Sequence, residues 1–267
     1  MKIGTLQFSP QIGNLEANIN KIASFNIQNQ KLDLLVLPEL ANSGYNFENK
    51  EEAYQCSEVV QSSKFVDHLQ RLCVGSSLHI VTGFNERSDD KLYNSALLIN
   101  SSGVIGKYRK LHLFLNEKNI FQPGNLGLPV FEVQGVKIGI LICFDWIFAE
   151  AWRLLALQGA DIICHPSNLV LPGYCQKGVP FHAMSNRIFI LTANRTGSER
   201  NLQFTGNSII VDPKGNILSQ ANATDEIIIS AAIDIEEAKN KQITALNHIH
   251  EDRRKDVYGI NFEGYSF

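Results

Sequence analysis

The sequence predicts an α/β protein, and two observations carry that expectation. Apolar runs of strand length alternate from end to end with amphipathic stretches of helical period. No internal repeat, low-complexity tract or flexible linker divides the 267 residues, so residues 1–267 are expected to form a single domain with one large core. A third observation bears on chemistry. Glu39 and Cys143 each follow an apolar run, and Lys110 follows the strand-like run of residues 104–109. A carboxylate, an ammonium and a thiol suffice to attack a carbon–nitrogen bond.

Along the chain, residues 2–8 read as a first strand. Asn14 then caps a helix with Leu15, Ile19, Ile22 and Ala23 at helical spacing. Residues 32–37 form a second strand, closed by Pro38 directly before Glu39. Residues 62–73 are a helix with Phe65, Val66 and Leu69 on one face. Residues 79–84 and 93–99 are strands, and Ser101-Ser102-Gly103 turns the latter into a hairpin strand at 104–108. Lys110 comes next. The run from Ile138 to Ile142 has the composition of a buried strand and delivers Cys143 to a strand-to-helix turn, with a helix over 148–158 stopped by Gly159. Residues 161–165 are a short buried strand that Pro166 is expected to stop. A helix over 179–187 leads into a strand at 189–193. Asp212-Pro213-Lys214-Gly215 turns strand 208–211 into strand 216–218, and residues 226–233 are the last strand.

The bulk composition narrows the function. A hydrophobic fraction of 44% with 19% charged residues describes a soluble globular protein. A formal charge of −3 gives no electrostatic footprint for nucleic acid or an anionic membrane. No apolar stretch reaches the roughly 18 residues a membrane helix requires, and the N-terminal residues lack a signal-peptide layout. Five cysteines without paired spacing imply free thiols in a reducing compartment, by default the cytoplasm. There is no C-x-x-C or H-E-x-x-H, so no metal site is expected. The glycines form no phosphate-binding loop, and a papain-like signature is missing. After a charged run over 252–256, the tail turns aromatic at Tyr258, Phe262, Tyr265 and Phe267. Such a tail suits either a solvated end or docking on a neighbouring subunit.

A free cysteine is ordinarily a small buried hydrophobe. Cys164 reads that way, and Cys56, Cys73 and Cys175 have no distinguishing context. Cys143 differs because a strand-to-helix turn holds a thiol rigidly toward a cleft. Glu39 follows a buried run and lies against desolvated surface, the setting of a general base. Lys110 precedes Leu111-His112-Leu113-Phe114, too apolar for an exposed loop, and is expected at the lip of a pocket.

Together these positions resemble the nitrilase superfamily, the carbon–nitrogen hydrolases, over nearly the whole chain. Its glutamate motif is matched by Leu37-Pro38-Glu39 and its lysine motif by Tyr108-Arg109-Lys110-Leu111-His112-Leu113-Phe114. Its cysteine motif is matched by Ile142-Cys143-Phe144-Asp145, and a further family glutamate by Glu117. His165-Pro166-Ser167-Asn168, Ala193-Asn194-Arg195, Asp212-Pro213-Lys214-Gly215 and Asp252-Arg253-Arg254 also fit. One departure is Ala149 before Glu150, where many members have proline.

The resemblance implies a four-layer α-β-β-α sandwich, paired into a homodimer through its helical faces with the tail reaching across. It implies Glu39 as base, Lys110 and the Phe144 N–H as oxyanion donors, Cys143 as nucleophile and Glu117 as their orienting partner, with no metal or organic cofactor. Phe144, Trp146 and Asn168 are the candidate substrate contacts. Cys143-Phe144-Asp145 in place of Cys-Trp-Glu favours a small amide over a nitrile. Members acting on acid-bearing ω-amides or N-carbamoyl amino acids tend to have arginine where Trp146 and Ile147 stand, so an apolar pocket is expected. Arg187 and Arg195 are the alternative sources of a cation.

Overall fold

The computed structural model describes residues 1–257. The tail aromatics Tyr258, Phe262, Tyr265 and Phe267 lie outside the described residues. The N-terminal half comprises Lys2–Gln7 (β1), Leu15–Ala23 (α1), Leu34–Val36 (β2), Lys50–Gln55 (α2) and Lys64–Cys73 (α3). His79–Ser88 (β3), Lys91–Asn100 (β4), Gly103–Arg109 (β5) and Glu117–Ile120 (α4) complete it. The second half begins with Val130–Val133 (β6), Val136–Ile140 (β7), Ala149–Leu157 (α5), Ile162–Ser167 (β8) and Tyr174–Asn186 (α6). It continues through Phe189–Asn194 (β9), Ser198–Glu199 (β10), Leu202–Gln203 (β11), Ile209–Val211 (β12), Ile217–Gln220 (β13) and Ile227–Ala232 (β14).

Two six-stranded sheets result, in the orders β14-β1-β2-β3-β4-β5 and β13-β12-β9-β8-β7-β6. Each has three parallel strands at its centre, β1-β2-β3 in one and β7-β8-β9 in the other. Antiparallel strands flank them. Because successive side chains on a strand point to opposite faces, each apolar run divides its residues between two cores. Leu34, Val36, Val81, Ala96 and Leu98 face the second sheet and join Ile138, Ile140 and Ile162. Leu35, Leu37, Ile80, Leu97 and Ile99 face outward onto Ile22 of α1 and Phe65, Val66 and Leu69 of α3. On the second sheet, α5 and α6 supply the cover through Trp152, Leu155, Val179 and Ala183. The product is a four-layer sandwich with helices outside and two sheets within.

The helix starts follow their caps. Asn14 accepts from the Ala17 N–H and Ser63 from the Val66 N–H, each satisfying a backbone donor left open in the first turn. Among the boundaries that differ from expectation, three bear on the site. The strand before Cys143 stops at Ile140, because Leu141 bonds to Cys164 and the chain then leaves the sheet. Pro166 does not end its strand but lies within β8, opposite Ala193. It shares the side of β8 on which Cys164 accepts from Leu141, and by then β7 has turned away. No ladder bond is lost there. Finally, α6 begins at Tyr174 and runs through Pro180, its interior held by buried Cys175, Val179 and Ala183. Gly178 on that helix admits the Trp146 ring, which would lie 2.7 Å from any Cβ.

Strand direction places the chemistry. β2, β3 and β5 share one direction, so Glu39 and Lys110 follow carboxyl ends on the same edge of the first sheet. Cys143 and Asn168 follow the carboxyl ends of β7 and β8 in the second, where α/β proteins bind ligands.

Candidate active site

Glu39 is carried on a tight turn after β2. The Gly83 N–H donates to the Pro38 carbonyl at 3.0 Å and the Ala41 N–H to the Gly83 carbonyl at 3.2 Å, clamping the turn onto β3. A Cβ at Gly83 would stand 2.3 Å from the Glu39 Cα, so only glycine permits this approach. Lys110 follows β5, its N–H donating to the Asn94 carbonyl at 2.8 Å. The 3₁₀ turn of residues 143–147 opens at Cys143, whose φ of +43° is in the left-handed region. Two contacts hold that turn. The Ile142 N–H donates to Asp145 Oδ2 at 2.9 Å, and His165 Nε2 bonds the Cys143 carbonyl at 2.9 Å. A carbonyl only accepts, so that Nε2 carries the proton and Nδ1 faces Thr192 Oγ1 at 3.1 Å. Burial lowers the His165 pKa to about 4, which keeps the ring neutral.

Lys110 Nζ lies 2.7 Å from Glu39 Oε1 and 2.7 Å from Glu117 Oε1. Glu39 Oε1 also accepts from Asn94 Nδ2, and Glu117 Oε1 from the Tyr45 hydroxyl, each at 2.7 Å. Glu39, Lys110, Glu117 and Cys143 are all buried. Lys110 therefore sits beneath the cleft rather than at a lip, because two carboxylates draw its whole stem inward. Burial opposes its charge, but Glu117 and Glu39 outweigh burial and hold its pKa above the usual lysine range. Burial, together with the charge of Glu39, pushes the Glu117 carboxyl up to about 7 against the pull of Lys110. Burial and then the Glu39 charge raise the Cys143 thiol well above its ordinary value, so the resting group is a thiol. Glu39 Oε2 is buried with no hydrogen-bond partner. One carboxylate oxygen of the set is thus open to a proton.

Cys143 opens onto a cleft lined by Phe114, Phe144, Trp146, Asn168, Leu169, Val170 and Leu171. It encloses about 290 Å³, partly open to solvent. The Asn168 N–H faces the thiol, its Nδ2 donates to the Glu39 carbonyl at 2.9 Å, and its Oδ1 has no partner. Phe144, Trp146 and Asn168 therefore meet at Cys143. Ile147 does not line the cleft and is half exposed. Neither arginine lines it either: Arg187 bonds the Asn240 carbonyl, and Arg195 pairs with Glu199 at 3.0 Å. Cys164, Cys73 and Cys175 are buried free thiols, and burial alone raises their pKa values.

Four contributors went unassigned at the sequence level. Asp145 and His165 stand in motifs that mark the resemblance but had no role. Asn94 is a polar residue inside an apolar strand, itself a signal. Tyr45 had none, since a loop residue after Gly44 is unremarkable in sequence.

A fold of paired sheets under helical covers, with a buried glutamate–lysine–glutamate cluster beside a cysteine on a strained turn, defines a hydrolase class. The carbon-nitrogen hydrolase family model matches residues 2–241, and the chain belongs to that family. A nitrilase from Pyrococcus abyssi is 42% identical, covering 97% of this chain and 99% of its own. A 2-oxoglutaramate amidase from Bacillus subtilis is 32% identical over 96% of this chain and 98% of its own. Among solved structures, a nitrilase-superfamily protein of Saccharomyces cerevisiae superposes with a TM-score of 0.79 at 28% identity, covering 90% of this chain and 92% of that one.

Proposed function

We propose that this hydrolase cleaves a small neutral amide to a carboxylic acid and ammonia through a thioester on Cys143. The observation that carries the reading is the open Glu39 Oε2 beside a thiol whose pKa is raised. Such a thiol needs a base at the moment of attack, and Oε2 is a carboxylate oxygen free to be one. In the reaction, the thiol proton passes to Glu39 Oε2 as the sulfur bonds the amide carbon, and the carbonyl electron pair moves onto oxygen. Lys110 has three N–H groups, two of them committed to Glu39 and Glu117. The third, with the Phe144 N–H, meets the oxyanion. Donors of this kind are worth on the order of 10²–10³ in rate each. Glu39 returns its proton to the nitrogen, the carbon–nitrogen bond breaks and ammonia leaves. A water then gives its proton to Glu39 and attacks the thioester, releasing the acid and restoring the thiol. The reaction calls for no metal or organic cofactor.

The free Asn168 Oδ1 favours an amide, whose N–H it can accept; a nitrile offers none. Nitrile hydrolysis is the second reading, favoured by the name of the Pyrococcus abyssi relative. N-carbamoyl and ω-amide hydrolysis is a further alternative. The test measures ammonia release from short aliphatic amides, nitriles, ω-amides and N-carbamoyl compounds, with mass analysis of the acid-quenched enzyme. The expected result is turnover of short amides and an acyl adduct on Cys143. An adduct elsewhere, or no turnover of any class, overturns the proposal.

We also propose a homodimer, or a higher homo-oligomer made of such dimers, built on α6, where Tyr174, Phe181 and Met184 are 63%, 59% and 45% exposed. Their spacing of seven and three residues puts them on one helical face. A stable monomer in light scattering at micromolar concentration overturns that assembly. Among the described residues no helix is long and apolar enough to cross a membrane.

A further inference from the structure

Glu199 lies on the β10–β11 hairpin of the second sheet's loops, and it reaches across to the loop that follows Glu39. Its Oε2 accepts from the Tyr45 N–H at 3.0 Å and the Asn46 N–H at 2.6 Å. Its own carbonyl accepts from Asn46 Nδ2 at 3.0 Å. The other carboxylate oxygen takes Arg195 Nη1 at 3.0 Å. Arg195 is fixed in turn: its Nη2 donates to the Pro10 carbonyl at 2.9 Å and its guanidinium stacks 4.0 Å over Phe204. Phe204 meets the Tyr45 ring edge-on at 6.0 Å. Gly44 precedes the clamp at a φ of +80°, and a Cβ there would lie 2.7 Å from Glu199 Oε1. Glycine is required for the carboxylate to come this close. Tyr45, so held, donates its hydroxyl to the Glu117 oxygen that also holds Lys110.

We infer that Glu199 is a positioning residue, whose carboxylate fixes the 40–46 loop and, through Tyr45, the Glu117–Lys110 pair. The physical reason is count and geometry. Two adjacent backbone N–H groups and a guanidinium converge on one buried group, and only a carboxylate accepts all three. Loops outside regular structure gain rigidity only from such contacts. The loop follows Glu39 directly and carries Tyr45, so one clamp sets both the base and the group that orients the lysine. The inference rests on the catalytic reading of Glu39 and Lys110 above.

The test is a double-mutant cycle of Glu199→Gln and Tyr45→Phe, with kcat and KM measured on the preferred amide. A glutamine cannot accept all three donors and turns an N–H toward one of them. Each single change is expected to lower kcat about 10-fold or more with KM changed less, and the double variant to lose no more than the worse single. Multiplicative losses overturn the inference, because a residue acting only through general stability would not share its effect with Tyr45. Glu39→Gln is run in parallel. If it retains full activity the catalytic reading fails; if it is inactive while the cycle is multiplicative, only the role of Glu199 fails. Should Glu199→Gln not fold, amide hydrogen exchange on the unaltered protein decides. Tyr45 and Asn46 amides exchanging far more slowly than exposed loop amides support the clamp, and exchange at the rate of exposed loop amides overturns it.

Discussion

Tyr108 donates its hydroxyl to Asp145 Oδ2 at 2.8 Å, joining the strand that leads to Lys110 to the turn that begins at Cys143. The same Oδ2 takes the Ile142 N–H, while Oδ1 takes the His112 N–H at 3.1 Å and His112 Nδ1 at 2.8 Å. His112 also stacks on Phe148 at 3.6 Å, just past that turn. One fully buried carboxylate thus braces the lysine segment of one sheet against the cysteine turn of the other.

Asp145→Asn is therefore expected to impair both stability and turnover. An asparagine presents one acceptor and one donor group where four donors converge, so at least one bond becomes a donor–donor contact. Losing a hydrogen bond to a charged group costs about 1.5–3 kcal/mol. Denaturant unfolding should show that loss, and kcat should fall by about 10-fold or more as the two segments separate. Unaltered kcat in a destabilised variant would show that the brace serves the fold alone.

Cys143→Ala should abolish ammonia release, whereas Cys164→Ala should keep most of it. Both thiols are buried and raised in pKa, so burial does not separate them. What separates them is surroundings: Cys143 feels Glu39, Lys110 and Glu117, while burial alone acts on Cys164. Equal losses in the two variants would mean the nucleophile is misassigned.

Much of this arrangement was legible in the sequence, for identifiable reasons. A buried strand announces itself by an apolar run, and Glu39 and Cys143 are each a reactive residue after one, while Lys110 follows a strand marked by its hairpin turn. Periodicity marked α1 and α3, and the Asn14 cap was legible because it is a local interaction. Pro166 inside β8 was illegible, because its tolerance depends on where β7 leaves the sheet. The first turn of α6 was hidden by Gly178, which ended the expected helix just before Val179; the Trp146 ring explains the glycine. Tyr45, Asn94 and Glu199 act through partners 72, 55 and 154 positions away, beyond any local pattern.

His165 gives a pH dependence of stability with a definite sign. Its pKa is about 4 in the folded protein against an ordinary 6.5, because burial disfavours the charged ring. Between those values the unfolded chain binds more protons, so stability rises with pH. The contribution is complete above about 6.5 and is lost as pH falls toward 4, amounting to roughly 3 kcal/mol at most. Glu117, raised to about 7, acts in the opposite direction between about 4.5 and 7. The comparison is accordingly with His165→Asn, which retains an N–H for the Cys143 carbonyl. Its unfolding free energy should rise less with pH, or fall more, between 4.5 and 6.5 than that of the unaltered protein. An unchanged slope would assign the dependence to other groups, His182 first, since burial also lowers its pKa to about 4.

Substrate charge is the last expectation. The cleft at Cys143 is lined by Phe114, Phe144, Trp146, Leu169, Val170 and Leu171, with Asn168 as its polar side chain beside the thiol. Arg195 is committed to Glu199 and Pro10, and Arg187 does not line the cleft, so neither guanidinium meets a ligand there. A carboxylate entering this cleft would shed water without gaining a partner, a cost of several kcal/mol in an apolar site. Short aliphatic amides should therefore exceed α-ketoglutaramate and N-carbamoyl amino acids in kcat/KM by about 10²-fold or more, since each 1.4 kcal/mol is tenfold. The penalty should fall mainly on KM, because desolvation precedes the chemical step. Introducing a cation by Trp146→Arg should narrow the ratio. Equal or faster turnover of the acidic compounds by the unaltered enzyme would refute the apolar-substrate reading.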